Sequence, residues 1–201
     1  MIESNTAAER IEGLVINSTG SWYEVATEHG TLTCRIRGRL RLKGIRSTNP
    51  VVVGDRVMVE PDGESSAIVE ILPRSNYVIR RASNLSKESH IIAANIDRAL
   101  LIVTLHSPTT AREFVDRFLV TCEAYRVPVT IVIGKADMLT GEYEAEAEEF
   151  EAIYGDAGYD IIRLSSTTGE GVEQIRELLK GRTTLVAGNS GVGKSTLVGY
   201  I

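Results

Sequence analysis

The sequence has little cysteine. Cys34 and Cys122 are the only two in 201 residues. They lie far apart and form no metal-ligand pair, so a reduced cytoplasm is the natural setting. No long apolar run is present either. The longest unbroken one is 99–103, far short of the roughly 20 residues that a membrane-spanning helix needs. The opening "MIESNTAAERIEG" lacks the basic start and apolar core of a signal peptide. There is no internal repeat. What remains is ordinary for a globular protein, with 43% hydrophobic and 24% charged residues, which excludes disordered and fibrous classes.

Charge of one sign is missing from two stretches. The net charge of −5 divides unevenly: residues 1–95 carry 12 Lys/Arg against 11 Asp/Glu, and residues 96–201 carry 10 against 16. Arg35, Arg37, Arg39, Arg41, Lys43 and Arg46 fall within twelve residues that contain no acid. Residues 142–160 hold eight acids and no base. Two regions with different electrostatic tasks is the simplest reading. The basic cluster suits neutralisation of nucleic-acid phosphates, against the plainer reading of a solvated basic strand and loop. Trp22 and Tyr23 are candidates for stacking on bases or for packing inside the first region. The acidic stretch reads as a solvated helix face or a docking face.

The pattern from Arg10 to Leu72 is of short strands and turns. "IEGLVINS", "WYEVATEH", "TLTCRIRG", "DRVMVEP" and "SAIVEIL" are β-rich and separated by Gly, Ser, Asn and Asp. Five strands with no helical period between them predict a small barrel of the OB type, with "RLKGIRSTNPVVVG" as a long loop. Residues 73–96 read as a mildly basic linker. From 97 onward strands alternate with helices: "RALLIVTL", "AREFVDRFLVTCEAYR", "VPVTIVIG", "GEYEAEAEEFEAIYG", "DIIRLS", "GVEQIRELLKG" and "TTLVAG". That alternation predicts right-handed crossovers and a parallel sheet. Helical spacing through Phe114, Phe118, Val120 and Cys122 marks the first helix. The expected domains are thus an OB barrel over 1–72, a linker over 73–96 and an α/β nucleotide-binding domain over 97–201.

The last strand runs into Gly188-Asn189-Ser190-Gly191-Val192-Gly193-Lys194-Ser195-Thr196. This is the G-x-x-x-x-G-K-[ST] phosphate loop in its strand–loop–helix setting. Its glycines let successive backbone N–H groups turn inward onto phosphate oxygens, and the following helix adds its positive dipole end. Lys194 is placed for the β- and γ-phosphates and the Ser195 hydroxyl for Mg²⁺. Two earlier strand ends carry "GKAD", Gly134-Lys135-Ala136-Asp137, and "SSTT", beginning Ser165-Ser166. Asp137 is placed to accept from guanine N1–H and N2–H₂, a pair that adenine does not offer. The Lys135 stem would lie along the base and brace the phosphate loop, and the Ser166 backbone N–H would face O6. Consecutive strand ends at the carboxyl edge of one sheet are where α/β folds bind ligands.

In ordinary GTPases the phosphate loop comes first and the base-reading elements last. Here the order is reversed, as in a circular permutation. A small barrel followed by "GKAD", "SSTTGEG" and "GNSGVGKST" in that order resembles the ribosome-small-subunit-dependent GTPase A family, over essentially the whole chain. The resemblance implies an OB barrel on ribosomal RNA, with Arg35–Arg46 as the RNA contact. It also implies slow hydrolysis of GTP to GDP stimulated by the small subunit, a role in late small-subunit maturation, and a cytoplasmic monomer with no membrane partner.

Two departures from the family go with it. The family pattern has Asn where this chain has Gly134, which leaves guanine selection mainly to Asp137. Family members also continue past this point with a switch threonine, an Asp-x-Pro-Gly element and a zinc-binding Cys/His domain. On that reading no catalytic residue can be assigned, zinc belongs to the absent domain, and the chain alone is expected to bind nucleotide weakly and hydrolyse it no faster than background. Two other readings stay open: an RNA-binding module with a vestigial nucleotide site, and an ATP-dependent phosphate-loop protein. From the usual GTPase sheet, the strand order in space is expected to be 183–187, 98–105, 128–133, 160–164, with 183–187 at an edge.

Overall fold

The structure, a computed structural model, describes residues 10–37, 50–62, 65–81 and 89–201. The chain forms two compact units, Met1–Asn95 and Ile96–Ile201.

The first unit contains a closed five-stranded barrel of β1 (Ile11–Thr19), β2 (Trp22–Thr27), β3 (Gly30–Ile36), β4 (Arg56–Asp62) and β5 (Ser65–Ile71). The strands run in the order β1-β2-β3-β5-β4 around it. All pairs are antiparallel except β3 with β5, and β1 pairs back onto β4 to close the ring. Period-2 alternation explains the interior. Val15, Tyr23, Val25, Cys34, Val57, Val59 and Ile68 point inward and are buried. Tyr23 is therefore a barrel core residue, whereas its neighbour Trp22, on the opposite face, is exposed. Burial pushes the Cys34 thiol up to about 11, and Cys122 likewise to about 11, so neither is a reactive thiolate.

The stretch read as a linker holds regular structure. β6 (Tyr77–Arg81) and β7 (Ser89–Ala94) pair antiparallel. Arg74, just before them, is committed to the first unit's interior. Its Nε and Nη2 donate to Asp55 Oδ1 at 2.6 Å and Oδ2 at 2.7 Å, and Nη2 also donates to the Pro50 carbonyl at 2.9 Å. Asp55 is fully buried and Arg74 nearly so. Asp55 Oδ2 accepts in addition from the Val52 N–H. Asn95 adds a second tie, accepting from the Ser75 N–H and donating to the Gly54 carbonyl. Local sequence gave no sign of this because the partners are 19 and 41 residues apart.

The second unit is a parallel sheet of β8 (Arg98–Val103), β9 (Val129–Gly134), β10 (Asp160–Leu164) and β11 (Thr184–Ala187), ordered β10-β9-β8-β11. That is the expected order, with β11 at an edge among the described residues. Helices cover both faces, which is why these strands read as near-continuous apolar runs. Leu101, Val103, Ile131 and Ile133 pack with residues of α1 (Arg112–Ala124) and α2 (Glu142–Asp156). Leu100, Ile102, Val132, Ile162 and Leu164 pack with residues of α3 (Val172–Leu179) and α4 (Lys194–Tyr200).

The buried stripe of α1 is Val115, Leu119 and Cys122. Of the apolar residues that carry the helical spacing, Cys122 is buried, Phe114 and Phe118 are only partly so, and Val120 is 68% exposed. A helix set on a sheet buries the face its packing selects, and the wide apolar arc of this sequence left more than one face open. The acidic helix α2 turns part of its charge inward to the unit. Arg163 on β10 donates to Glu151 at 2.6 and 2.9 Å and to Glu144 at 2.6 Å, and Arg112 pairs with Glu149 at 3.2 Å. Among the described residues no helix is long and apolar enough to cross a membrane.

Candidate nucleotide site

Parallel strands of one sheet end on one side, so β9, β10 and β11 deliver their following turns to the same edge. A cleft of about 280 Å³ opens there. Its walls come from all three turns: Lys135, Asp137 and Met138 after β9, Ser166 and Thr167 after β10, and Val192, Gly193 and Thr196 around the phosphate loop.

The phosphate loop folds back over its neighbours. Gly188 has φ of 145°, and a Cβ there would lie 2.3 Å from the Ile102 carbonyl oxygen. No side chain fits, so glycine is required for the chain to leave β11 this close to β8. Val192 is buried among Leu100, Ile102 and Val132, which anchors the loop and leaves only the backbone of Val192 for a phosphate. The Lys194 ammonium donates to the Gly188 carbonyl at 2.9 Å and the Asn189 carbonyl at 2.6 Å, so this side chain crosses its own loop. The Ser195 hydroxyl is exposed at the first turn of α4.

The turn after β9 is built by local strain and by one buried serine. Lys135 sits in the left-handed region, with φ 57° and ψ 42°, and leads into a short 3₁₀ turn, Ala136–Met138. The Asp137 carboxylate Oδ1 accepts from the Ser165 hydroxyl at 2.6 Å. Ser165 is fully buried, and its Oγ accepts in turn from the Thr167 and Thr168 N–H groups at 3.2 and 3.1 Å. One side chain thus sets both the Asp137 rotamer and the shape of the turn after β10. The Ser165 hydroxyl, with smaller help from Thr167 and Lys135, holds the Asp137 carboxyl below its ordinary value. It is ionised at neutral pH and acts only as an acceptor.

Lys135 goes elsewhere than expected. Its ammonium donates to the Ser107 carbonyl, in the turn after β8, and not to the phosphate loop. The contact between turn and loop is made by backbone instead. A Cβ on Gly134 would lie 3.1 Å from the Val192 carbonyl oxygen, so the phosphate loop packs on the place where the resemblance led us to expect an asparagine. Sequence reasoning missed Met138, Leu164 and the turn after β8. None carries a motif: only the fold brings Met138 and Leu164 to the cleft and the turn after β8 against Lys135.

Of the basic cluster, Arg35 and Arg37 are described. The Arg35 guanidinium lies 3.7 Å above the centre of the exposed Trp22 ring. Arg37 donates to Glu60 at 2.7 Å, and Arg10 holds the other oxygen of that carboxylate at 2.8 Å. Arg39, Arg41, Lys43 and Arg46 lie outside the described residues.

A family model for the RsgA GTPase matches residues 71–201, and one for the RsgA N-terminal domain matches residues 12–69. The chain belongs to the RsgA GTPase family. The small ribosomal subunit biogenesis GTPase RsgA of Bacteroides fragilis is 53% identical over 190 residues, covering 94% of this chain and 61% of that protein. The protein of the same name from Porphyromonas gingivalis is 53% identical over 192 residues with the same coverage. YjeQ from Thermotoga maritima superposes with a TM-score of 0.78 at 34% identity, over 96% of this chain and 65% of that one. YloQ, a circularly permuted GTPase, gives 0.72 at 28% identity, over 98% of this chain and 66% of that one. This RsgA-family chain spans about three fifths of the length of the curated relatives it matches.

Magnesium suits what the site offers. Among the described residues no cluster of three His, Cys, Asp or Glu side chains could hold a metal, but a hydroxyl beside a phosphate loop asks only for phosphate oxygens and water as the other ligands.

Ser165→Ala is expected to raise the Asp137 pKa towards its ordinary value. A depressed carboxyl pKa favours the folded state above the unfolded pKa, and that contribution fades as pH falls through the folded value. The variant therefore begins to lose its carboxylate acceptor at a higher pH than the parent. A carboxyl-carbon NMR titration of Asp137 measures this directly, and superimposable curves would remove Ser165 from the role.

Proposed function

We propose that this chain carries the guanine-nucleotide site and the RNA-binding barrel of a GTPase acting in small-ribosomal-subunit biogenesis, hydrolysing GTP to GDP and phosphate. The observation that carries the reading is the ionised Asp137, locked by buried Ser165, in the same cleft as a complete phosphate loop. An acceptor-only group at that point matches the two donors on guanine and repels the acceptor N1 of adenine.

In this reading the backbone N–H groups of residues 188–194 and the N-terminus of α4 bind the phosphates, and the Lys194 ammonium turns to the β- and γ-phosphates. Mg²⁺, held by the Ser195 hydroxyl and phosphate oxygens, would supply charge neutralisation at the transferred phosphoryl group. The Ser166 N–H and the Lys135 stem complete the base pocket. No residue of the chain is assigned the positioning of the attacking water. The relatives' names support the small subunit as partner, and a cytoplasmic monomer goes with it. Competition for a labelled nucleotide tests the site: GTP and GDP should displace it at concentrations at least about tenfold lower than ATP does. Equal displacement by ATP would replace this reading with a general phosphate-loop site, and no displacement by any of the three would leave an RNA-binding module with a vestigial pocket.

The barrel's part is electrostatic. Arg35 presents its guanidinium from an aromatic shelf at Trp22, a stacking platform for bases, and Arg39, Arg41, Lys43 and Arg46 follow it in sequence. Arg37 is held by Glu60 and contributes less. Changing Arg35, Arg39 and Arg41 together to Ala should weaken binding to small-subunit RNA and flatten the slope of log affinity against log salt by about two to three. An unchanged slope would make the segment a solvated face.

A further inference from the structure

The turn after β8 belongs to no nucleotide motif, yet it is bonded to the turn after β9 and faces the phosphate loop. Ser107 and Lys135 each take a left-handed backbone conformation, with φ of 46° and 57°. The two are bonded to each other, the Lys135 ammonium donating to the Ser107 carbonyl. Non-glycine residues in that region cost energy, and they persist where the surroundings fix them, commonly at functional sites. On the other side of the turn the Pro108 ring faces the phosphate loop: a Cβ on Gly191 would lie 3.6 Å from Pro108 Cδ.

The turn is held from within the sheet. Thr104, fully buried at the end of β8, donates its hydroxyl to the Pro108 carbonyl. Its N–H donates to Thr110 Oγ1 at 3.1 Å, and its carbonyl accepts from the Thr110 N–H at 2.8 Å. Its methyl group lies where a Cβ on Gly134 would meet it, at 3.5 Å. His106 stacks on Tyr143 of α2, ring centres 4.3 Å apart, which fixes the outer side of the turn.

We propose that Thr104 is a positioning residue for base recognition. Through Pro108 it sets the Ser107 carbonyl, and that carbonyl draws the Lys135 stem across the mouth of the base pocket. Without the anchor, Lys135 swings into solvent, and the ordering of its long side chain must be repeated at each binding event. The contribution therefore falls on the base and not on the phosphates. This rests on the guanine-nucleotide reading above.

Calorimetry with GDP, ADP and inorganic pyrophosphate tests it. Thr104→Val keeps the shape and removes the hydroxyl. It should lower GDP affinity about tenfold, with ADP and pyrophosphate within about twofold of the parent. Thr104→Ser restores the hydroxyl and should recover GDP affinity. If Thr104→Val does not fold, Pro108→Ala, which loosens the same turn, is read by the same GDP-to-ADP ratio. An unchanged ratio in a parent that prefers GDP overturns the positioning role alone, as does an equal loss for all three ligands, which marks a fold support. A parent with no preference for GDP over ADP overturns the guanine reading and this inference together.

Discussion

The approach of the phosphate loop to the ends of its neighbouring strands sets the geometry of the whole nucleotide side. Gly188 lies where a Cβ would meet the Ile102 carbonyl at 2.3 Å, and Gly134 where one would meet the Val192 carbonyl at 3.1 Å. Two missing side chains let backbone pack on backbone across β11, β8 and β9. The loop comes late in sequence, but β11 lies beside β8 in the sheet, so its chain order does not hinder it from facing the turn after β9. Burial of Val192 and Leu197 then fixes the loop and the first turns of α4 to the sheet, which a seven-residue helix could not achieve on its own propensity.

Electrostatics divides between the units in the way the composition suggests, with several charges in each unit already paired. Asp55 and Arg74 form a buried pair whose separation would leave an uncompensated charge, a loss of about 3–5 kcal/mol. Arg163 is gripped by two carboxylates of α2, so part of that helix's acidity serves its own unit. Asp137 differs. It is exposed and ionised, its Oδ1 accepts from the Ser165 hydroxyl, and it lines the cleft as an acceptor.

Periodicity made most of the fold legible. The pattern of "WYEVAT" marked a barrel strand but left Tyr23 open between packing and stacking, which the structure decides by burying it with Val25; strands such as 98–103 and 129–133 alternating with helices announced a parallel sheet. The residues of the candidate site were legible where they lay in contiguous motifs, Gly188 to Thr196, Asp137 and Ser165–Ser166, but the bond from Ser165 to Asp137 was not. What escaped was set by contacts distant in sequence. The ammonium of Lys135 is taken by a carbonyl 28 residues earlier, Arg74 by Asp55, and the stripe of α1 by the choice of face. The strands β6 and β7 were hidden by the polar, basic residues around them, although Val78, Ile91 and Ala94 are buried.

The account stands or falls on Asp137 as the reader of guanine, and an exchange of acceptor for donor tests that most directly. Asp137→Asn presents an amide N–H₂ where a carboxylate oxygen stood. Xanthine, which carries a carbonyl at C2 in place of the amino group of guanine, then becomes the better partner. Affinities of the parent and of Asp137→Asn for GDP and xanthosine diphosphate should cross. The variant is expected to lose about 10- to 100-fold for GDP and to gain for xanthosine diphosphate. A variant that binds GDP as tightly as the parent and still rejects xanthosine diphosphate would contradict the account.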